Sequence, residues 1–131
     1  MKLILIFALL FCGDPTDQIR KPSPEQTLQK YFSALNSHDQ KTIRECFDPN
    51  RDCPNAAYVK DTIVHHKILK KVTLSAEFVR KNQFVPPSRV GDIRIDVRQY
   101  YGDQYHMDFS YFFRLEGKEW LIYSFSAWGV D

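Results

Sequence analysis

The C-terminal stretch Tyr105–Trp128 constrains this chain more than any other part of it. Tyr-His-Met-Asp-Phe-Ser-Tyr-Phe-Phe-Arg-Leu runs into Glu-Gly-Lys-Glu and then Trp-Leu-Ile-Tyr-Ser-Phe-Ser-Ala-Trp. Two aromatic-rich runs alternate with period two around a short charged segment holding one glycine, which is the pattern of a β-hairpin. Its register decides which side chains share a face. With a three-residue turn, Gly117-Lys118-Glu119, residues Phe109, Tyr111, Phe113 and Leu115 share a face with Leu121, Tyr123, Phe125 and Ala127. The other face then gathers His106, Asp108, Ser110 and Arg114 with Ser124, Ser126 and Trp128. An even turn would mix the two sets. The odd turn is preferred because it keeps one face continuously apolar and lets Gly117 take a left-handed bulge position.

Upstream of the hairpin the period changes from helical to extended. Ser23-Pro24-Glu25-Gln26 supplies a hydroxyl cap, a proline at the first helical position and a glutamine at the capping-box position. Leu28, Tyr31, Phe32 and Leu35 follow on one stripe, so the spacing predicts a helix to about Ser37. After the break Asn36-Ser37-His38-Asp39, Asp39 can cap a second short helix burying Ile43, Cys46 and Phe47, which Asp48-Pro49 stops. A third helical turn or two is expected after Pro54, with Ala56, Val59 and Ile63 on one face. Ile68, Val72, Leu74, Ala76 and Phe78 then alternate with polar residues, although Lys70 interrupts them. The expectation there is one long, bent strand from about His66 to Arg80. A proline-bearing loop, Asn82 to Arg89, leads to a strand with Ile93, Ile95 and Val97 on one side and Asp92, Arg94, Asp96 and Arg98 on the other.

The other end of the chain is of a different kind. Lys2 precedes an unbroken apolar run, Leu3 to Phe11, too short to span a bilayer but suited to the apolar region of a secretory signal. Cys12-Gly13-Asp14 ends it, and the whole resembles a bacterial lipoprotein signal whose cysteine becomes the lipidated first residue; Phe11 stands where such signals carry a small residue. Cleavage by the ordinary signal peptidase is the alternative, although no Ala-x-Ala site is present. Residues 1–12 are thus expected to be a signal peptide with Cys12 as the lipid attachment point. Residues 13–23, polar and bearing Pro15 and Pro22, are expected to be a flexible tether. The protein would then sit in the cell envelope, exported and lipid-anchored to a bacterial membrane on its periplasmic or surface side. The remainder, 24–131, is one domain: 131 residues that are 44% hydrophobic and 15% aromatic can bury one core. A net charge of +2 with scattered basic residues argues against nucleic acid as a partner.

N-terminal helices followed by about four antiparallel strands make an α+β arrangement with helices on one face of a curved sheet. Pro24–Asp39, the short helix after it and the closing Gly117-Lys118-Glu119-Trp120-Leu121-Ile122-Tyr123 resemble the nuclear transport factor 2-like superfamily, a cystatin-like cone enclosing a pocket. That resemblance is nearest to small secreted or lipoprotein members without an assigned activity; isomerases and cyclases are more distant relatives. It implies two functions. One is a non-enzymatic module binding a protein or a small apolar ligand, with His106, Asp108, Ser110, Ser124, Ser126 and Trp128 as ligand-binding candidates. The other is a pocket enzyme of isomerase, dehydratase or cyclase type, with Asp108 as general base and His106 as proton donor or substrate polariser. The plainer reading of the same residues is a solvated strand face. Adjacent His65 and His66 point to opposite faces of a strand, and no metal spacing or cofactor motif is present. Aromatics on both faces near Phe112 leave room for a homodimer through the sheet. Cys46 and Cys53 would be an even pair in an oxidising compartment and could form a disulfide, while Cys46 equally suits a buried helix face.

Overall fold

The first helix, α1 (Pro24–Ser37), begins where its cap is complete: Ser23 Oγ accepts from the Gln26 amide and Gln26 Oε1 from the Ser23 amide, each at 3.2 Å. It is seen in a computed structural model describing residues 21–83, 86–102 and 105–128; the signal segment, Cys12 and most of the expected tether lie outside them. Leu28, Tyr31, Phe32 and Leu35 are its buried stripe. His38 ends the helix in the left-handed region at φ 57°, a conformation that histidine tolerates better than most side chains. Asp39 immediately caps α2 (Gln40–Glu45), accepting from the Thr42 amide at 3.2 Å and the Thr42 hydroxyl at 2.7 Å. The expected third helical segment shrinks to a single 3-10 turn, Ala56–Tyr58, capped by Asn55.

Four strands follow: β1 (His65–Thr73), β2 (Ile93–Tyr100), β3 (His106–Glu116) and β4 (Glu119–Ala127). They form one antiparallel sheet in sequence order. The architecture is α+β, with α1 and α2 covering one face. That covered face carries Ile93, Ile95 and Val97 of β2 and Tyr111, Phe113 and Ile122 of the hairpin against Leu28, Phe32, Ile43 and Phe47. Burying such side chains contributes roughly 1.5–3 kcal/mol each, so this layer dominates the domain's stability.

Two expectations about the strands need correction. The long strand ends at Thr73. Ser75 Oγ accepts from the Phe78 amide at 3.2 Å and starts a helix, α3 (Ala76–Lys81), which lays Phe78 and Val79 beside Leu74, Phe112 and Tyr123 on the open face. A bulge at Leu69 explains the odd lysine. Ile68 pairs with Val97 on the helix side, and after the extra residue Lys70 pairs with Asp96 on the other.

The hairpin turn is also shorter than expected. Glu116 pairs with Glu119, so only Gly117 and Lys118 form the turn, with Gly117 at φ 65°. A bulge at Tyr123 then restores the expected partners: Phe113 pairs with Ile122, but Phe112 pairs with Ser124, Tyr111 with Phe125 and Ser110 with Ser126. Tyr123 consequently leaves the helix-covered face and packs on Phe112. Beside this bulge the chain at Phe47 makes a parallel bridge to Ile122. The Asp48 amide donates to Ile122 O and the Ile122 amide to Cys46 O, both at 2.9 Å, covering that part of the β4 edge.

Candidate functional site

The restored register places His106, Asp108, Ser110, Ser124, Ser126 and Trp128 on one face of the sheet, the face turned away from α1 and α2. They do not all converge. Arg98 holds Asp108 in a two-pronged pair, Nε to Oδ1 at 2.8 Å and Nη2 to Oδ2 at 3.1 Å. Ser110 donates to Asp96 Oδ1 at 2.7 Å and accepts from Trp128 Nε1 at 2.9 Å, while Arg94 Nη2 reaches Asp96 Oδ2 at 3.3 Å. His106 joins a row of rings instead: it lies 5.6 Å from Tyr100, whose other side stacks on His65 at 4.7 Å. The Arg98 guanidinium, through its hydrogen bonds, holds the Asp108 carboxyl below the usual carboxylate range. A general base working near neutrality needs the opposite shift.

The opposite, helix-covered face contains an opening. Beyond the ends of α1 and β2 the layers part into a cleft of about 320 Å³, lined on the sheet side by Gln99, Tyr101, Met107, Phe109, Tyr111 and Phe125. Tyr31 and Leu35 of α1 and the loop residues Pro54, Val59, Asp61 and Ile63 make the rest of its wall, with Tyr105 at the rim. The loop is pinned by the break between the two helices. Asn36 donates to Ile63 O at 2.9 Å and accepts from the Ile63 amide at 2.8 Å, His38 Nε2 donates to Val59 O at 3.0 Å, and Gln40 bonds Pro54 O at 3.1 Å and the Ala56 amide at 2.7 Å. One glycine-free turn therefore ends α1, starts α2 and fixes a wall of the cleft.

Within the cleft three of the polar side chains are joined in a chain. The Tyr111 hydroxyl donates to Gln99 Oε1, and Gln99 Nε2 donates to the Tyr101 hydroxyl at 2.7 Å. Tyr111 stacks on Phe125 at 5.5 Å and meets Tyr31 edge-on at 6.1 Å. Burial pushes the Tyr31, Tyr101 and Tyr111 phenols above their ordinary range, so all three stay protonated. The cleft can thus hold an apolar body against aromatic walls and offer it fixed hydroxyl and amide groups, which is the usual make-up of a small-molecule site.

The sequence did not single out Gln99. Its signal was available, because the core-facing positions Ile93, Ile95 and Val97 continue to Gln99, a polar residue that is only 2% exposed. Cys46 and Cys53, the candidate pair, are free thiols in the structure. Cys46 ends α2 inside the core, where burial pushes its thiol up to about 11, and Cys53 accepts a weak bond from Gln40 Nε2 at 3.6 Å. No cluster of three or more histidine, cysteine or acidic side chains suited to a metal occurs among the described residues. None of their helices is long and apolar enough to cross a membrane. Comparison with known proteins finds no matching family model, no similar curated protein and no similar solved structure.

Proposed function

We propose that this domain is a non-enzymatic binding module that takes a small, largely apolar ligand into the aromatic cleft. The observation that carries the proposal is the Tyr111–Gln99–Tyr101 chain of hydrogen bonds inside a largely aromatic cavity. Buried polar groups are costly unless paired, and here they are paired in an orientation that also lines an opening. A nuclear transport factor 2-like cone fits the same features: helices on one face of the sheet, two bulges that bend it, and the opening between the layers. The apolar run ending at Cys12 supports a lipid-anchored place in the cell envelope for such a module. The alternative of an isomerase, dehydratase or cyclase built on His106 and Asp108 has the Arg98 pair against it.

Native mass spectrometry of the full chain, recovered from its own membranes in mild detergent, should show a small molecule bound at one equivalent. Met107→Trp, which fills part of the cleft, should remove that species without lowering the melting temperature by more than a few degrees. A bound molecule that survives this substitution would place the site elsewhere, and a chain that never carries one would defeat the proposal. Anchoring is tested separately: Cys12→Ser should abolish labelling by a fatty-acid probe.

A further inference from the structure

Resting on the reading of the cleft as a binding site, we propose that its ligand is an organic cation of the alkylated-ammonium class. The lining holds four tyrosines and two phenylalanines, and the single charged side chain among its described residues is Asp61. Neither lysine, arginine nor histidine is among them. On the open face Lys67 and Arg98 lie opposite each other across β1 and β2; on the covered face Lys71 is held by Glu25 at 2.8 Å and His66 lies against Phe32. The cavity therefore combines ring faces, whose quadrupole attracts positive charge, with one carboxylate at the exposed edge of the wall.

Ring orientation is fixed from within. Tyr111 and Tyr101 are tied through Gln99, Tyr111 lies against Phe125, and Tyr101 meets Tyr105 at 5.4 Å, so the walls do not have to be ordered on binding. Burial does most to raise the Tyr101 phenol, and neighbouring Tyr105 and, least, Asp61 add to the rise. A hard metal ion would need several oxygen ligands that this wall lacks. An alkylated ammonium is weakly hydrated by comparison, and it presents methyl groups to the rings while its charge meets them and Asp61.

The test is a nuclear magnetic resonance titration of the full chain with choline and with 3,3-dimethyl-1-butanol, its neutral isostere. Choline should shift resonances of Tyr101, Phe109 and Phe125 and bind about tenfold more tightly than the alcohol. Asp61→Asn, a change at an exposed position, should weaken choline about threefold or more and leave the alcohol unaffected. Equal or tighter binding of the alcohol in the cleft overturns the cation assignment and leaves the binding-site reading standing. Shifts confined to other surfaces overturn the assignment, and so does binding of neither probe, while the native mass spectrum decides the reading beneath it.

Discussion

On the helix-covered face of the sheet β2 places Ile93, Ile95, Val97 and Gln99, and on the open face the same strand places Arg94, Asp96, Arg98 and Tyr100. Both faces carry hydrogen-bonded polar groups. On the covered face these are two protonated phenols and an amide, lining the cleft among apolar side chains. On the open face they are ion pairs, Arg98 with Asp108 and Arg94 with Asp96, reinforced by Ser110 and Trp128. The difference is one of dielectric. A charge at Gln99 would have to be desolvated at a cost of several kcal/mol, whereas on the open face Arg94, Arg98 and Asp108 keep part of their water and the buried Asp96 is paired with Arg94 and Ser110. The same alternation of residues therefore builds a cleft suited to an apolar body on one side and a lattice of paired charges on the other.

The contrast is sharpest at the adjacent pair Phe112 and Phe113, which point to opposite faces. Phe113 lies fully buried beneath the helices, and Phe113→Ala should cost about 3–5 kcal/mol. Phe112 lies under α3 in the small second cluster, where that short helix can settle into the space, so Phe112→Ala should cost about 1–3 kcal/mol. Urea unfolding followed by circular dichroism measures both. Equal costs would mean that the two clusters form one continuous core.

A smaller effect separates the polar groups. Tyr111→Phe removes the donor to Gln99 inside the covered layer and leaves an amide oxygen unpaired there, at about 1–3 kcal/mol. Ser110→Ala removes the neighbouring hydroxyl on the open face, where water can replace it at Trp128 and Arg94 still holds Asp96, and should cost about 1 kcal/mol. If the order were reversed, the open-face lattice and not the cleft would be the pre-organised site.

Much of this division was legible in the residues, and what was not has identifiable causes. The cap at Ser23, the stripe from Leu28 to Leu35 and the cap at Asp39 are local signals, and each appears where the spacing puts it. The pairing of Ser110 with Ser126 was also legible, though for a reason only half right: a two-residue turn plus a bulge at Tyr123 gives the same far register as a three-residue turn. Helix α3 was misread because Leu74, Ala76 and Phe78 satisfy period two, while the competing signal, Ser75 as a cap, is short. Which face carries the cleft was not legible, because alternation says which residues share a side and nothing about which side the helices cover. Gln99 was the residue that could have told, being polar in a row of core positions.

The smallest effect bears most directly on function. Arg98 lowers the folded-state pKa of Asp108, chiefly by hydrogen bonding, and nearby His106 acts in the same direction more weakly. A depressed carboxylate pKa contributes stability that is fully present above its unfolded value of about 3.9 and is lost as the pH falls through the folded value. The difference in melting temperature between the wild type and Asp108→Asn should therefore be constant from neutrality down to about pH 5. Below that it should close, and it should narrow at any pH in 1 M salt because the pair is partly exposed. A carboxylate serving as a general base would behave differently: its raised pKa would make the difference change between about pH 5 and 7, and a resonance titration of the Asp108 carboxyl would find its midpoint there. A midpoint below the ordinary carboxylate range leaves Asp108 as one member of an ion pair and removes it as a general base.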